Sequence, residues 1–217
     1  FNLETLEDSV SKYLNLIEES KKAVDVPIIA SINCVSKSEW IPFSKKIESA
    51  GADALELNIF IMPSDLERTA EENEKVYIEI IDAVLKEVAI PVSVKISYFF
   101  TSLASMIKKV SETGVKGIVL FNRFFNPDFD LDTLSVIPSN VLSNPSDLGL
   151  TLRWVSIMSG RVSCDIVAST GIHDGKAVIK QLLAGAKAVQ IASAIYRKGP
   201  KVIGEMLQEI KDWMSER

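Results

Sequence analysis

Three short apolar runs end in, or just before, an asparagine. Asn33 closes PIIASIN, Asn58 lies in ADALELNIF, and Asn122 lies in GIVLFNR. A fourth run, PVSVKIS, carries Lys95 among aliphatic residues. A carboxamide offers a donor and an acceptor side by side, which suits the edge of a planar heterocycle. Asparagine at a strand end is also ordinary turn chemistry, and each position taken alone fits that equally well. An ammonium inside an apolar strand is costly unless something compensates it. Lys95 therefore either pairs with Glu56 or is held against an anionic ring or a phosphate. A second set of residues lies in Asp165–Tyr196, where two apolar runs end in small residues, Ser169-Thr170-Gly171 and Ala192-Ser193. Small residues at a strand end, followed by a helix start, can gather backbone N–H groups around one anion. The same residues also serve tight packing of a helix on a sheet. His173 is the single histidine, so chemistry built on several imidazoles is excluded.

Such residues act together only if a framework places them at one end of a sheet. The 217-residue chain is 47% hydrophobic and 24% charged, an ordinary globular balance, and its formal net charge is −5. It has no basic cluster interleaved with aromatics, so nucleic acid is not expected as a partner. No apolar run reaches the ~18 residues of a membrane span, and no signal-peptide pattern is present. Cys34 and Cys164 form no CxxC or ligand cluster, which points to reduced thiols in a cytoplasmic protein.

The framework reads as alternating helices and strands. Leu3 to Ala23 has a helical apolar stripe, and Pro27 to Asn33 is a continuous apolar strand of the kind parallel sheets bury on both faces. Ser36-x-x-Glu39 has capping-box spacing for a helix to about Ala50, where Gly51 stops it. Ala52 to Phe60 is a strand, Met62 to Glu74 a polar loop, and a helix follows to about Val88. Pro91 to Ser97 is a strand, Thr101 caps a helix ending near Gly114, and Gly117 to Arg123 is a strand. Residues 124–147 break the rhythm with three prolines and many Asn, Asp and Ser, as a long excursion with room for a short hairpin. Leu148 to Gly160 is helical. DIVAST and AVQIASAIY are strands around a helix opened by Asp174-Gly175, and Pro200 starts a last helix. Six strands alternating with seven helices imply one parallel α/β domain over 1–217, either doubly wound or a barrel. No GxGxxG follows the first strand, and the anion-type turns sit on the last two strands, where a (β/α)₈ TIM barrel has its phosphate site. A barrel needs two more units, so its first two strands are expected upstream of Phe1.

ALELN (Ala54–Asn58), PVSVKIS (Pro91–Ser97), VLFNR (Val119–Arg123), STGIHDGKAVIKQLLAGAKAVQIASAIY (Ser169–Tyr196) and Lys198-Gly199-Pro200 together resemble the dihydroorotate dehydrogenases and their FMN-binding barrel relatives. The resemblance runs along nearly the whole chain. It implies a cytoplasmic flavoprotein of pyrimidine biosynthesis that passes hydride from dihydroorotate, or a related heterocycle, to FMN, and a possible homodimer. It makes Lys95 the lysine at the flavin N1/O2 edge and Asn58 the asparagine beside the flavin that also holds substrate. Asn122 becomes a substrate-side asparagine, and Asn33 matches an asparagine that some members carry. Thr170, Gly171, Ala192 and Ser193 fall on the turns that bind the FMN phosphate.

The departures concern catalysis. The family follows its ALELN-like strand with S-C-P-N or S-S-P-N, whose Cys or Ser takes the substrate proton. Here the run is Asn58-Ile59-Phe60-Ile61-Met62-Pro63-Ser64, which puts Ile61 or Met62 at the base position. Neither accepts a proton, so no catalytic base is assignable. The paired glycines before the sixth family helix are replaced by Asn144-Pro145-Ser146-Asp147. Loop acids Asp128, Asp130 and Asp132 are a remote source of a base. Two alternatives remain: a flavin-binding protein without dihydroorotate turnover, and a flavin-free barrel enzyme acting on a phosphorylated metabolite. No metal is expected in any of them.

Overall fold

The computed structural model describes residues 3–34, 37–124 and 126–217. Its residues group into two compact units, Phe1–Lys95 with Phe99–Ile118, and Ile96–Tyr98 with Val119–Arg217.

In the first unit, α1 (Leu3–Ala23) is followed by β1 (Ile29–Ile32), α2 (Lys37–Ser49), β2 (Ala54–Asn58), α3 (Ala70–Leu85), β3 (Val92–Ile96), α4 (Leu103–Glu112) and the first residues of β4 (Gly117–Leu120). The strands are parallel and lie in sequence order. Alternation along each strand divides the residues by face. Ala30, Ile32, Leu55, Leu57, Val92 and Val94 are buried. Trp40 and Ile47 of α2, Tyr77, Ile81 and Val84 of α3, and Met106, Ile107 and Val110 of α4 are buried with them. The alternate positions are Ser31, Glu56, Ser93 and Lys95, in cross-strand register. β1 is thus buried on one face only, and not on both as the run of aliphatics in PIIASIN predicts, whereas Glu56 on the polar face of β2 is itself buried. Serine and alanine at the intervening positions hide this alternation in the sequence.

Helix α1 closes the side of β1. The Tyr13 hydroxyl donates to the Ser31 carbonyl at 2.9 Å and accepts the Ser31 N–H at 3.0 Å, satisfying both backbone groups of that residue. Lys21 pairs with Asp53 at 2.7 Å, and Asp53 also accepts the Ile28 N–H. The lysine hydrogen bond, then the backbone one, hold the Asp53 carboxyl below its usual range.

Several boundaries differ from the sequence expectation. Helix α3 begins at Ala70, inside the expected loop, because Thr69 and Glu72 form a reciprocal capping box. Helix α4 begins at Leu103 with Ser102 at its cap, one residue beyond the expected Thr101. The expected cap at Ser36 lies outside the described residues.

The second unit holds Ile96–Tyr98 and the end of β4, then β5 (Asn126–Asp130) and β6 (Ser135–Ser139), a 3₁₀ turn (Pro145–Asp147), α5 (Leu148–Met158), β7 (Asp165–Ser169), α6 (Gly175–Leu183), β8 (Ala188–Gln190), α7 (Ser193–Lys198) and α8 (Val202–Ser215). β4, β7 and β8 are neighbours in that order, and β7 and β8 are parallel. The excursion contains the hairpin β5–β6, antiparallel from Asn126↔Ser139 to Asp130↔Ser135. Asp130 accepts the Asp132 and Thr133 N–H groups at its turn, and Asp128 accepts the Phe129 N–H. Arg123 ties the end of the excursion back, donating to the Val141 carbonyl at 3.1 Å and facing Asp147 at 3.4 Å. The expected strand AVQIASAIY is shorter than its apolar run. β8 stops at Gln190, and Ser193 to Lys198 form an extra short helix. Gly185 ends α6 at φ +109°, where a Cβ would lie 2.0 Å from Ser159 Oγ, so packing as well as conformation demands glycine.

Candidate functional site

The carboxyl end of the first unit's sheet assembles three of the expected residues. Register places Asn58 directly across from Lys95. Two residues back on the same face, Glu56 lies across from Ser31 on one side and Ser93 on the other. The Glu56 side chain is only 3% exposed, and it accepts the Ser31 hydroxyl at 2.7 Å. Asn33 follows β1 by one residue and is exposed. The polar face therefore ends in a carboxamide beside an ammonium, a pairing that can grip a planar edge and stabilise negative charge developing on it.

The loop after β2 carries Ile61 and Met62, the two residues that fall at the expected base position. The Ile61 N–H donates to the Tyr77 hydroxyl at 3.3 Å, and Met62 is 46% exposed. Ile61 lines a cavity of about 270 Å³ with Asn33, Cys34 and Trp40. Sequence reasoning treated Cys34 only as a reduced thiol and missed that it shares a cavity with Ile61. Burial, and then Glu39, push that thiol up to about 11, so at neutral pH it is not a thiolate. Cys164 is pushed up equally, by burial and then Asp165. Among the described residues no cluster of three or more His, Cys, Asp or Glu could hold a metal ion. No described helix is long and apolar enough to cross a membrane.

The second unit assembles the other residues. The Asn122 N–H donates to the Ile96 carbonyl at 2.8 Å, and its Oδ1 accepts the Arg123 N–H at 2.8 Å. After β7, Thr170 and Gly171 take consecutive left-handed conformations, φ +79° and +77°. The Thr170 hydroxyl donates to the Phe121 carbonyl at 3.1 Å, which compensates a residue that seldom adopts this conformation. A Cβ on Gly171 would lie 2.2 Å from the Leu148 nitrogen. After β8, Ala192 is exposed, and Ser193 Oγ accepts the Ser143 N–H at 2.9 Å.

The start of α6 does not offer its amides in the way the strand-turn-helix pattern suggests. The Asp174 carboxylate accepts the Ala177 N–H at 2.7 Å, and Glu209 of α8 accepts the Gly175 N–H at 2.8 Å. One step earlier, polar groups gather around the buried Gly171. Of these, His173 is expected from the sequence as a residue beside the turn at the start of the helix and not as a catalytic base, whereas Ser143 was not singled out. Ser143 is 6% exposed and His173 is 8% exposed, with Ser143 Oγ 3.1 Å from His173 Nε2. The Gly171 N–H points at the same hydroxyl at 3.4 Å. Lys198 donates to the His173 carbonyl and Arg197 to Asn144 Oδ1, each at 3.4 Å. Burial, and then the Arg197 charge, hold the imidazole below its usual pKa. Ser143 immediately precedes Asn144-Pro145-Ser146-Asp147, which stand where the family has paired glycines, and this departure was the available signal.

The family model described as dihydroorotate dehydrogenase matches residues 4–214. The catalytic subunit of dihydroorotate dehydrogenase B (NAD(+)) from Thermoplasma volcanium is 26% identical over 215 residues, covering 96% of this chain and 69% of the relative. Dihydroorotate dehydrogenase A (fumarate) from Lacticaseibacillus paracasei is 30% identical over 190 residues, covering 84% of this chain and 65% of the relative. Among solved structures, the dihydroorotate dehydrogenase of Eimeria tenella, crystallised with ferulenol, superposes with a TM-score of 0.70 at 17% identity, over 95% of this chain and 64% of that one. This likeness shows the fold, part of a parallel (β/α)₈ barrel. The chain spans about two thirds of the length of these relatives.

Proposed function

The chain belongs to the dihydroorotate dehydrogenase family, and from that premise we propose that it forms most of an FMN-dependent oxidoreductase acting on a small heterocycle. The observation that carries this reading is the register pairing of Asn58 with Lys95 at the carboxyl end of the sheet. FMN, when bound, supplies an acceptor for the hydride of the substrate. Lys95 stabilises negative charge at the ring edge, and Asn58 holds the ring and substrate through its donor and acceptor. Asn33 and Asn122 are further carboxamides of the same kind. The chemistry of the β7–β8 turns fits a phosphate. Gly171 brings a backbone N–H, Ser193 a hydroxyl and Ala192 an exposed turn, and a side chain at Gly171 would collide with the Leu148 backbone. Substrate, electron acceptor and a soluble cytoplasmic setting with a homodimeric assembly follow the family and are part of the proposal.

One observation favours a narrower second reading. With Ile61 and Met62 in place of the proton-accepting residue, the chain binds flavin without oxidising dihydroorotate itself, and serves a substrate that does not need that proton removed. Anaerobic mixing of the FMN-loaded full-length protein with dihydroorotate separates the two. Bleaching of the flavin supports the first reading, and an unbleached flavin that dithionite still reduces supports the second. Lys95→Ala is expected to slow reduction of bound flavin by roughly 10²-fold, the scale of losing one preorganised charge-stabilising group, while leaving the fold intact. Equal reduction rates in the two proteins would refute the role given to Lys95.

A further inference from the structure

The buried Ser143–His173 pair has no part in the reading above, and it touches the β7 turn, one of the two read there as holding a phosphate. Ser143 has a single hydroxyl proton and two lone pairs. One lone pair faces the Gly171 N–H at 3.4 Å, a long contact, and the oxygen lies 3.1 Å from His173 Nε2. When Nε2 carries no proton, the serine hydroxyl must donate to it, and its only proton is spent. When Nε2 carries a proton, the imidazole donates instead and the serine proton is released. We propose that His173 is a positioning residue for a phosphate-bearing ligand at the β7 turn, deciding whether the Ser143 hydroxyl points at the imidazole or is offered, together with the Gly171 N–H, to a phosphate oxygen. This rests on the reading of that turn as the phosphate end of the FMN site.

The surroundings set the direction of the effect. The charged groups acting on the ring are Arg197 and Lys198 from α7 and Asp174 beside it on the cap of α6. The other nearby carboxylates are committed, Asp147 to Arg123 and Glu209 to the Gly175 N–H. The two cations oppose a charge on His173, and burial opposes it more. A bound dianion offsets the cations, so ligand binding and proton uptake by His173 favour one another. The proton comes from solvent and stays on the imidazole; no covalent bond changes.

The test compares FMN dissociation constants of the full-length protein and its His173→Gln variant between about pH 7.5 and about pH 5.5. The glutamine amide can still hydrogen-bond Ser143 but does not titrate. Taking the ratio at each pH cancels the titration of the FMN phosphate itself. The variant is expected to lose affinity relative to the parent as pH falls, by up to about tenfold per unit between the His173 pKa of the ligand-bound protein and that of the free protein. Riboflavin, which has no phosphate, is expected to give a pH-independent ratio. Ser143→Ala, the second variant, is expected to bind FMN more weakly throughout and to abolish the pH dependence of the comparison. A constant FMN ratio with both proteins binding overturns the role of His173 and leaves the flavin reading standing. A ratio that changes equally for riboflavin overturns the link to phosphate. FMN failing to bind any of these proteins at any pH overturns both the inference and the reading beneath it.

Discussion

At the scale of single residues, chemistry-bearing side chains were legible where their type was out of place. Lys95 in an aliphatic strand and Asn58 two residues after Glu56 stand out in the sequence, and register places Asn58 and Lys95 side by side. His173 was legible as a neighbour of the Gly171 turn, but its pairing with Ser143 was not, because the two lie 30 residues apart in the chain. The buried amide of Gln181 was equally silent. It is fully buried, and neither its Nε2 nor its Oε1 has a partner in the structure. Such a group pays its desolvation uncompensated, so Gln181→Leu is expected to stabilise the protein by about 1–3 kcal/mol in a denaturant titration. A destabilised variant would show that the amide is satisfied. Gly171→Ala is expected to act in the opposite direction. It places a Cβ 2.2 Å from the Leu148 nitrogen at φ +77°, and should cost at least about 1–3 kcal/mol. Wild-type stability in that variant would contradict the geometry described here. His173 also gives stability a pH dependence. Its folded pKa lies below the usual 6.5, so its contribution is complete above that value and is lost as pH falls through the folded pKa. Thermal melts of His173→Gln are expected to show a shallower decline toward acid than the parent, and parallel declines would count against this assignment.

At the scale of elements, apolar periodicity located the strands of the parallel sheet but not their ends. The loop expected over Met62–Glu74 gives way to helix at Ala70, because glutamates that read as solvent-loving loop residues serve as a cap and a first turn. Thr69-x-x-Glu72 carried the information in the same form as the Ser36-x-x-Glu39 spacing that was read. The strand after Gly185 was overextended because Ile191 to Tyr196 is as apolar as a strand, while β8 itself keeps only three residues. Cap and edge contacts are testable independently of function. Thr69→Ala is expected to lower stability by about 1 kcal/mol, the usual worth of an N-cap side chain. Tyr13→Phe removes the hydroxyl that satisfies both backbone groups of Ser31 and should cost about 1–2 kcal/mol, with faster amide exchange at Ser31. Unchanged exchange at that amide would show that water replaces the tyrosine without loss.

For the whole molecule, strict alternation of buried-type strands with helices made the parallel α/β class readable, and the order of the motifs made the family readable. The choice between a doubly wound sheet and a barrel was not in the periodicity, since both produce the same alternation; it came from where the glycine and serine turns fall along the chain. Function is less legible than fold for a physical reason. The groups suited to holding a flavin are backbone turns and a few polar side chains on rigid strands, whereas turnover depends on one proton-accepting residue in a loop, where Ile61 and Met62 stand. The central claim is that this family member is a flavoprotein whose Lys95 stabilises reduced flavin. The most direct measurement is the visible spectrum of the full-length protein equilibrated with FMN, followed through reduction in the parent and in Lys95→Ala. The expected result is tight FMN binding in both proteins, with flavin reduced more slowly and to a less favourable potential in the variant. A protein that is colourless once free FMN has been removed, or equal rates and potentials in the two proteins, would contradict the account.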